Sequence, residues 1–148
     1  MDTFMRFIKK ISRCFTLYRG KRLENSGLNG YQHPYLLAVC DQPGISQEQL
    51  AGRLYVNKSN VARQLSALEQ GGFIRRESDA ADRRLLRVFP TEKAEALIPS
   101  IRKVTEEWNS GLLQDLSAAE QEQLLALLET IAQRAAEQAM AEGRPESR

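Results

Sequence analysis

The residues with the clearest chemistry lie in one octapeptide, Asn57-Lys58-Ser59-Asn60-Val61-Ala62-Arg63-Gln64. If Val61, Leu65 and Leu68 turn toward a core, helical spacing leaves Lys58, Ser59, Asn60, Arg63 and Gln64 together on the open face. Side chains of this length at the start of a helix can reach base edges in a major groove. Arginine grips guanine with two parallel donors, and asparagine or glutamine matches the donor and acceptor of adenine. On an isolated helix the same face would be ordinary solvated surface; its setting between a turn and a basic hairpin favours nucleic acid. The hairpin tip is Ser78-Asp79-Ala80-Ala81-Asp82-Arg83-Arg84. Arg83 and Arg84 on an exposed loop suit insertion into a narrow minor groove, with Arg84 the stronger candidate. Asp82 can pair with a neighbouring arginine and hold the wing in shape. The bland alternative is a solvated turn.

The elements that must position these groups follow from periodicity. Phe4, Phe7, Ile8, Ile11, Phe15 and Tyr18 form one stripe along about five helical turns. Gly27, Gly30 and Pro34 end that helix near Asn25, and a second, short apolar helix spans Tyr35–Cys40. Ser46 and Gln49 form a capping box that opens a helix of about eight residues carrying Leu50 and Leu54 inward. Asn57 or Ser59 caps the next helix, and Gly71-Gly72 ends it. Phe73–Arg76 and Leu85–Phe89 read as a strand and its return. From Thr91 a long helix carries Leu97, Ile98, Ile101, Val104, Trp108 and Leu112 inward, with a kink expected at Pro99. Ser117 and Glu120 make another capping box. The last helix turns Leu124, Leu127, Leu128, Ile131 and Ala135 inward.

The pattern predicts a mainly α fold with a small β-hairpin wing, a winged helix-turn-helix with N- and C-terminal dimerisation helices. One domain spans 1–140: helix-turn-helix at 46–70, wing at 73–89, dimerisation helices at 1–40 and 91–140, and a flexible tail at 141–148. Forty-two per cent hydrophobic residues in 148 allow an ordinary globular core. Two cysteines 26 residues apart make no disulfide framework, and no apolar run is long enough to span a membrane, so a cytoplasmic protein without a membrane partner is expected. The net charge of +2 hides a division: residues 1–23 sum to +6, 57–89 to +3 and 105–148 to −6. A basic front and an acidic tail can attract each other within or between chains, leaving the middle basic for a polyanion. The three long apolar stripes exceed what a winged domain needs, so an intertwined homodimer is the economical solution and a six-helix monomer the alternative.

From Ser46 through Thr91 the sequence is similar to the MarR (multiple antibiotic resistance regulator) family of transcriptional regulators. The specific pieces are L-E-x-x-G-F-I-x-R at Leu68–Arg76, D-R-R at Asp82–Arg84 and P-T-E-K-A at Pro90–Ala94. It departs at Ala80-Ala81, where a proline is common, and at Pro90, where a leucine often precedes the threonine. The resemblance implies a dimeric DNA-binding repressor on a palindromic operator. It also implies release by a small phenolic ligand or an oxidant acting near the dimer base. Arg13–Tyr18 resembles the segment of organic-hydroperoxide-sensing members that carries a reactive cysteine near tyrosines. Four-residue spacing puts Cys14 and Tyr18 on adjacent turns, but one short match is a weak signal and the reading as a small hydrophobe beside the stripe is favoured for Cys14. Tyr18, His33 and Tyr35 are expected where the terminal helices meet the reading head, as candidate ligand contacts. His33 is the single histidine, which excludes a three-histidine metal site within one chain, and it reads either as a cleft residue or as an exposed or hydrogen-bonded helix residue. Cys40 reads as an inert core thiol.

No Gly-rich phosphate loop, nucleophile elbow or metal-ligand spacing is present, so no cofactor, metal or enzymatic activity is expected. A winged module that binds an acidic protein partner is the alternative function, separable from DNA binding by duplex specificity and salt dependence.

Overall fold

The structure, a computed structural model, describes residues 2–142. The chain divides into two compact units, Met1–Trp108 and Asn109–Arg148. In the first, α1 (Asp2–Arg22) leads through a 3-10 turn at Glu24–Ser26 to α2 (His33–Asp41), β1 (Ile45–Ser46), α3 (Gln47–Leu54) and α4 (Lys58–Gln70). A hairpin of β2 (Ile74–Ser78) and β3 (Leu86–Pro90) follows, then α5 (Glu92–Leu113), which crosses into the second unit. The second unit holds α6 (Ala118–Glu142), opened by the expected capping box, in which Ser117 accepts from the Glu120 amide at 3.1 Å. The fold is mainly helical with a small antiparallel sheet.

The core forms where α2, α3, α4 and α5 meet that sheet. Leu36, Val39, Leu50, Val61, Leu65, Leu68, Val88, Ala94 and Ile101 are sealed completely. Asp41 at the end of α2 accepts from Arg53 of α3 at 3.2 Å and Arg102 of α5 at 3.1 Å, so one carboxylate ties three helices. Gly30 has no room for a side chain: a Cβ would lie 2.4 Å from the Thr16 carbonyl oxygen, because the segment before α2 crosses directly over α1.

Several expectations need correction. β1 was not expected; at two residues it is too short to show periodicity, yet Ile45 and Ser46 pair with Val88 and Arg87 and make the sheet three-stranded, in the order β1-β3-β2. The second helix begins at His33 rather than Tyr35, since a proline near the first position needs no N–H partner. Leu112 is 52% exposed rather than inward. Leu127, Leu128, Ile131 and Ala135 of α6 are exposed rather than inward, and the α1 stripe also leaves Phe4, Phe7 and Ile11 exposed, as the expected dimer face would. Helix α6 reaches Glu142, two residues into the segment read as a flexible tail, and 143–148 lie outside the described residues.

Candidate nucleic-acid interface

Two helix caps set the reading head. The Ser46 side chain accepts from the Gln49 amide at 3.1 Å while Gln49 reaches back to the Ser46 amide, fixing where α3 begins. The chain leaves α3 through Tyr55, at φ 54, the one non-glycine residue in the left-handed region among the described residues. Asn57 then caps α4, accepting from the Asn60 amide at 2.7 Å. At the far end Gly72, at φ 78, closes α4, and the Phe73 amide returns to the Leu68 carbonyl at 2.9 Å.

With Val61, Leu65 and Leu68 sealed beneath it, α4 presents the expected face. Lys58, Ser59 and Arg63 are exposed, and Asn60 and Gln64 half-buried. Several of these groups are held by neighbours. Lys58 donates to Glu48 of α3 at 2.9 Å, Ser59 to the Asn57 side chain at 2.9 Å, and Arg63 to the Asn60 side-chain oxygen at 3.3 Å. The Lys58 ammonium holds the Glu48 carboxyl below its ordinary value.

At the wing, Asp79 does most of the shaping. Its carboxylate accepts from the backbone of Ala81 at 3.1 Å and Asp82 at 3.0 Å, and from the Arg87 guanidinium at 2.6 Å. Arg87 also reaches the Gly44 carbonyl at 2.9 Å, anchoring the wing to the strand edge. The bond from Arg87, more than the two backbone donors, depresses the Asp79 pKa. Asp82 accepts from the Arg84 backbone and side chain, both at 3.1 Å. Arg83 is exposed and has no hydrogen-bond partner among the described residues.

A further anchor sits behind the recognition face. Arg76 on β2 donates to both Glu69 oxygens, to Ser66 on α4 and to Gln47 on α3. Arg76 ends the L-E-x-x-G-F-I-x-R segment and Glu69 is its second residue. That pattern marked the joint without showing what held it, because the contacts to Gln47 and Ser66 are long-range. Asp79, three residues before Asp82, carried a weaker signal still.

The four residues considered for sensing do not meet in one cavity. Cys14 is exposed, in a groove of α1 lined also by Arg6, Lys9, Lys10 and Arg13. Tyr18 lies with its ring 5.0 Å from that of Trp108, and its hydroxyl accepts from Arg22. His33 is sealed, with neither ring nitrogen bonded. Burial, with the nearby Arg19 charge second, lowers its pKa to about 4; the Gly30 backbone opposes this weakly, its carbonyl already engaged by Arg19. Tyr35 is buried, its hydroxyl unpartnered, and it lines a separate groove of about 340 Å³ with Tyr31, Val56, Asn60 and Gln64. Burial raises the Cys40 pKa to about 11, as suits an inert thiol. Among the described residues no cluster of three or more metal-ligating side chains exists, and no helix is long and apolar enough to cross a membrane.

Residues 26–85 match the MarR family model. The HTH-type transcriptional regulator YybA of Bacillus subtilis is 30% identical over 88% of this chain and 87% of its own length. A MarR transcriptional regulator of Methanosarcina mazei superposes with TM-score 0.88 at 29% identity, covering 93% of this chain and 99% of its own. A MarR-family transcriptional regulator of Listeria monocytogenes, solved in complex with 26mer DNA, superposes with TM-score 0.86 at 26% identity, covering 97% of each. The chain belongs to the MarR family of DNA-binding, helix-turn-helix transcriptional regulators.

Proposed function

We propose that the chain is a cytoplasmic, homodimeric repressor that reads a palindromic operator, with Lys58, Ser59, Asn60, Arg63 and Gln64 in the major groove and the wing arginines at the backbone and minor groove. The observation that carries this reading is the single open face of α4, which gathers five donor and acceptor side chains over a fully sealed apolar face. Two copies are favoured by the apolar residues that α1 and α6 each leave uncovered. The test is selection from random duplexes with purified protein. An enriched palindrome supports the dimeric reading, whereas an enriched single site without symmetry removes it. Protein that holds no duplex and instead captures acidic protein surfaces would favour the interaction module.

For regulation, the groove at Tyr35 supports a small phenolic effector better than Cys14 supports an oxidant. Two residues of the recognition face, Asn60 and Gln64, line that groove, so an occupant would compete with DNA for the same amides. Operator release by salicylate-like compounds, lost in Tyr35→Ala and retained in Cys14→Ser, is the expected result. Release by peroxide that Cys14→Ser abolishes would favour the oxidant.

A further inference from the structure

Lys58 at the start of α4 and Arg84 in the wing line the same groove, about 170 Å³ in volume, with Leu85 and Leu86 as its apolar wall and Glu48 facing Lys58. The two cations come from different elements, one from α4 and one from the hairpin. Each is held by an acid: Lys58 by Glu48 at 2.9 Å, Arg84 by Asp82 at 3.1 Å. Lys58 is 75% and Arg84 91% exposed, and ion pairs this open contribute little stability and weaken with salt. A stronger anion can therefore take both cations at small cost.

We infer that this groove seats one phosphodiester of the DNA backbone between Lys58 and Arg84, and that Glu48 is the counter-ion it displaces. The inference rests on reading α4 and the wing as two parts of one duplex interface, and it adds what must lie between them. If α4 enters the major groove and the wing the adjacent minor groove, the strand separating those grooves crosses the space between the two elements. A phosphate there meets an ammonium on one side and a guanidinium on the other, both making charge-assisted bonds to its oxygens. The deoxyribose carbons pass along Leu85 and Leu86. Glu48 lines the same space with a full negative charge, so it must turn outward as the phosphate enters. Its charge sets how weakly the protein holds duplexes of any sequence.

The test is a scan of the selected duplex with single uncharged methylphosphonate linkages. One linkage per recognition helix should cost the wild-type protein affinity and flatten the dependence of log K on log salt by about one. The same linkage should be silent in the Lys58→Ala/Arg84→Ala double variant, whose exposed substitutions leave the thermal melt unchanged. Glu48→Gln should tighten binding to all duplexes by about two- to fivefold, the scale of one exposed ion pair, and only while Lys58 is present. A double variant with wild-type salt dependence, or no linkage whose effect depends on Lys58 and Arg84, overturns the inference. So does competition by inorganic phosphate beyond that of chloride at equal ionic strength without any position-dependent linkage effect, which would mark a free-anion site. If Arg63→Ala and Arg83→Ala still weaken binding while these tests fail, the groove assignment alone falls. If no variant changes duplex binding, the interface itself falls with it.

Discussion

Arg76 and Glu69, seven residues apart, form a forked pair: the Arg76 guanidinium reaches one Glu69 oxygen at 3.1 Å and the other at 3.4 Å, and the Arg76 amide joins at 3.1 Å. The fork continues to Gln47 at 3.1 Å and Ser66 at 3.2 Å, so one side chain locks α3, α4 and β2 together. The Arg76 side chain is 20% exposed, so these bonds are better shielded from water than the surface pairs of the recognition face. Arg76→Ala should destabilise the fold by about 1–3 kcal/mol in urea unfolding, the range for losing bonds to a charged group and stranding their partners. If Arg76 acts by positioning α4 through these bonds, DNA affinity should fall with it while base preference and salt slope stay unchanged. Arg76→Lys should not rescue, since an ammonium cannot reproduce a planar fork. A wild-type melt for Arg76→Ala would show the pair to be incidental.

Arg63 carries the sharpest test of base reading. It is exposed on α4 and, among the described residues, its side chain is held only by that of Asn60 at 3.3 Å, a contact that DNA can displace. Arg63→Ala should cost about 1–3 kcal/mol on the selected site and relax preference at one base pair per recognition helix. Arg83→Ala, at the wing tip, should instead weaken binding to specific and random duplexes alike. Equal losses on both kinds of duplex for Arg63→Ala would make it a backbone contact.

Protonation of His33 should set the stability of the protein in mildly acidic solution. Its pKa drops from an ordinary 6.5 to about 4 on folding, so the unfolded chain binds its proton first as pH falls. Stability is full above about 6.5, declines between there and about 4, and the total loss approaches about 3 kcal/mol at roughly 1.4 kcal/mol per pH unit. The carboxylates held low by their partners, Glu48, Glu69 and Asp79, contribute in the same direction only below about pH 4.5. The window from 6.5 to 4.5 therefore belongs to His33. Chemical denaturation across that window should slope for the wild type and be flat for His33→Gln; equal slopes would place the titrating group elsewhere.

The parts of this molecule readable from sequence are those set by local rules. Both capping boxes, the Asn57 cap and the burial of Val61, Leu65 and Leu68 follow from residues within one or two turns of each other. What could not be read depends on partners far along the chain. Strand β1 exists because Ile45 meets Val88, and the wing is braced because Arg87 reaches Gly44. His33 reads from the sequence as a cleft residue or an exposed or hydrogen-bonded helix residue, whereas long-range packing, with the segment before α2 crossing α1 at Gly30 and Thr16, leaves the ring sealed and unbonded. Periodicity likewise identifies an apolar stripe without saying what covers it, so the α6 residues that read as inward are exposed within one chain.

Those uncovered stripes yield the last prediction. On α6, Leu127 is 56% exposed, and Leu128 and Ile131 are each 38% exposed, on a helix whose acidic residues complement the basic face of α1. Exposed leucines and isoleucines at helical spacing are costly to leave in water, and a second copy supplies identical stripes at no cost in sequence complexity. Leu128→Glu combined with Ile131→Glu should leave the winged region folded, since these residues lie in the unit that begins at Asn109. It should shift the protein from dimer to monomer in sedimentation at micromolar concentration. Operator affinity should then fall by about 10²–10⁴, the gain that linking two binding heads provides, while affinity for a single half-site stays near that of one wild-type head. A wild-type protein that sediments as a monomer at that concentration and still binds its operator tightly would rule out the dimer.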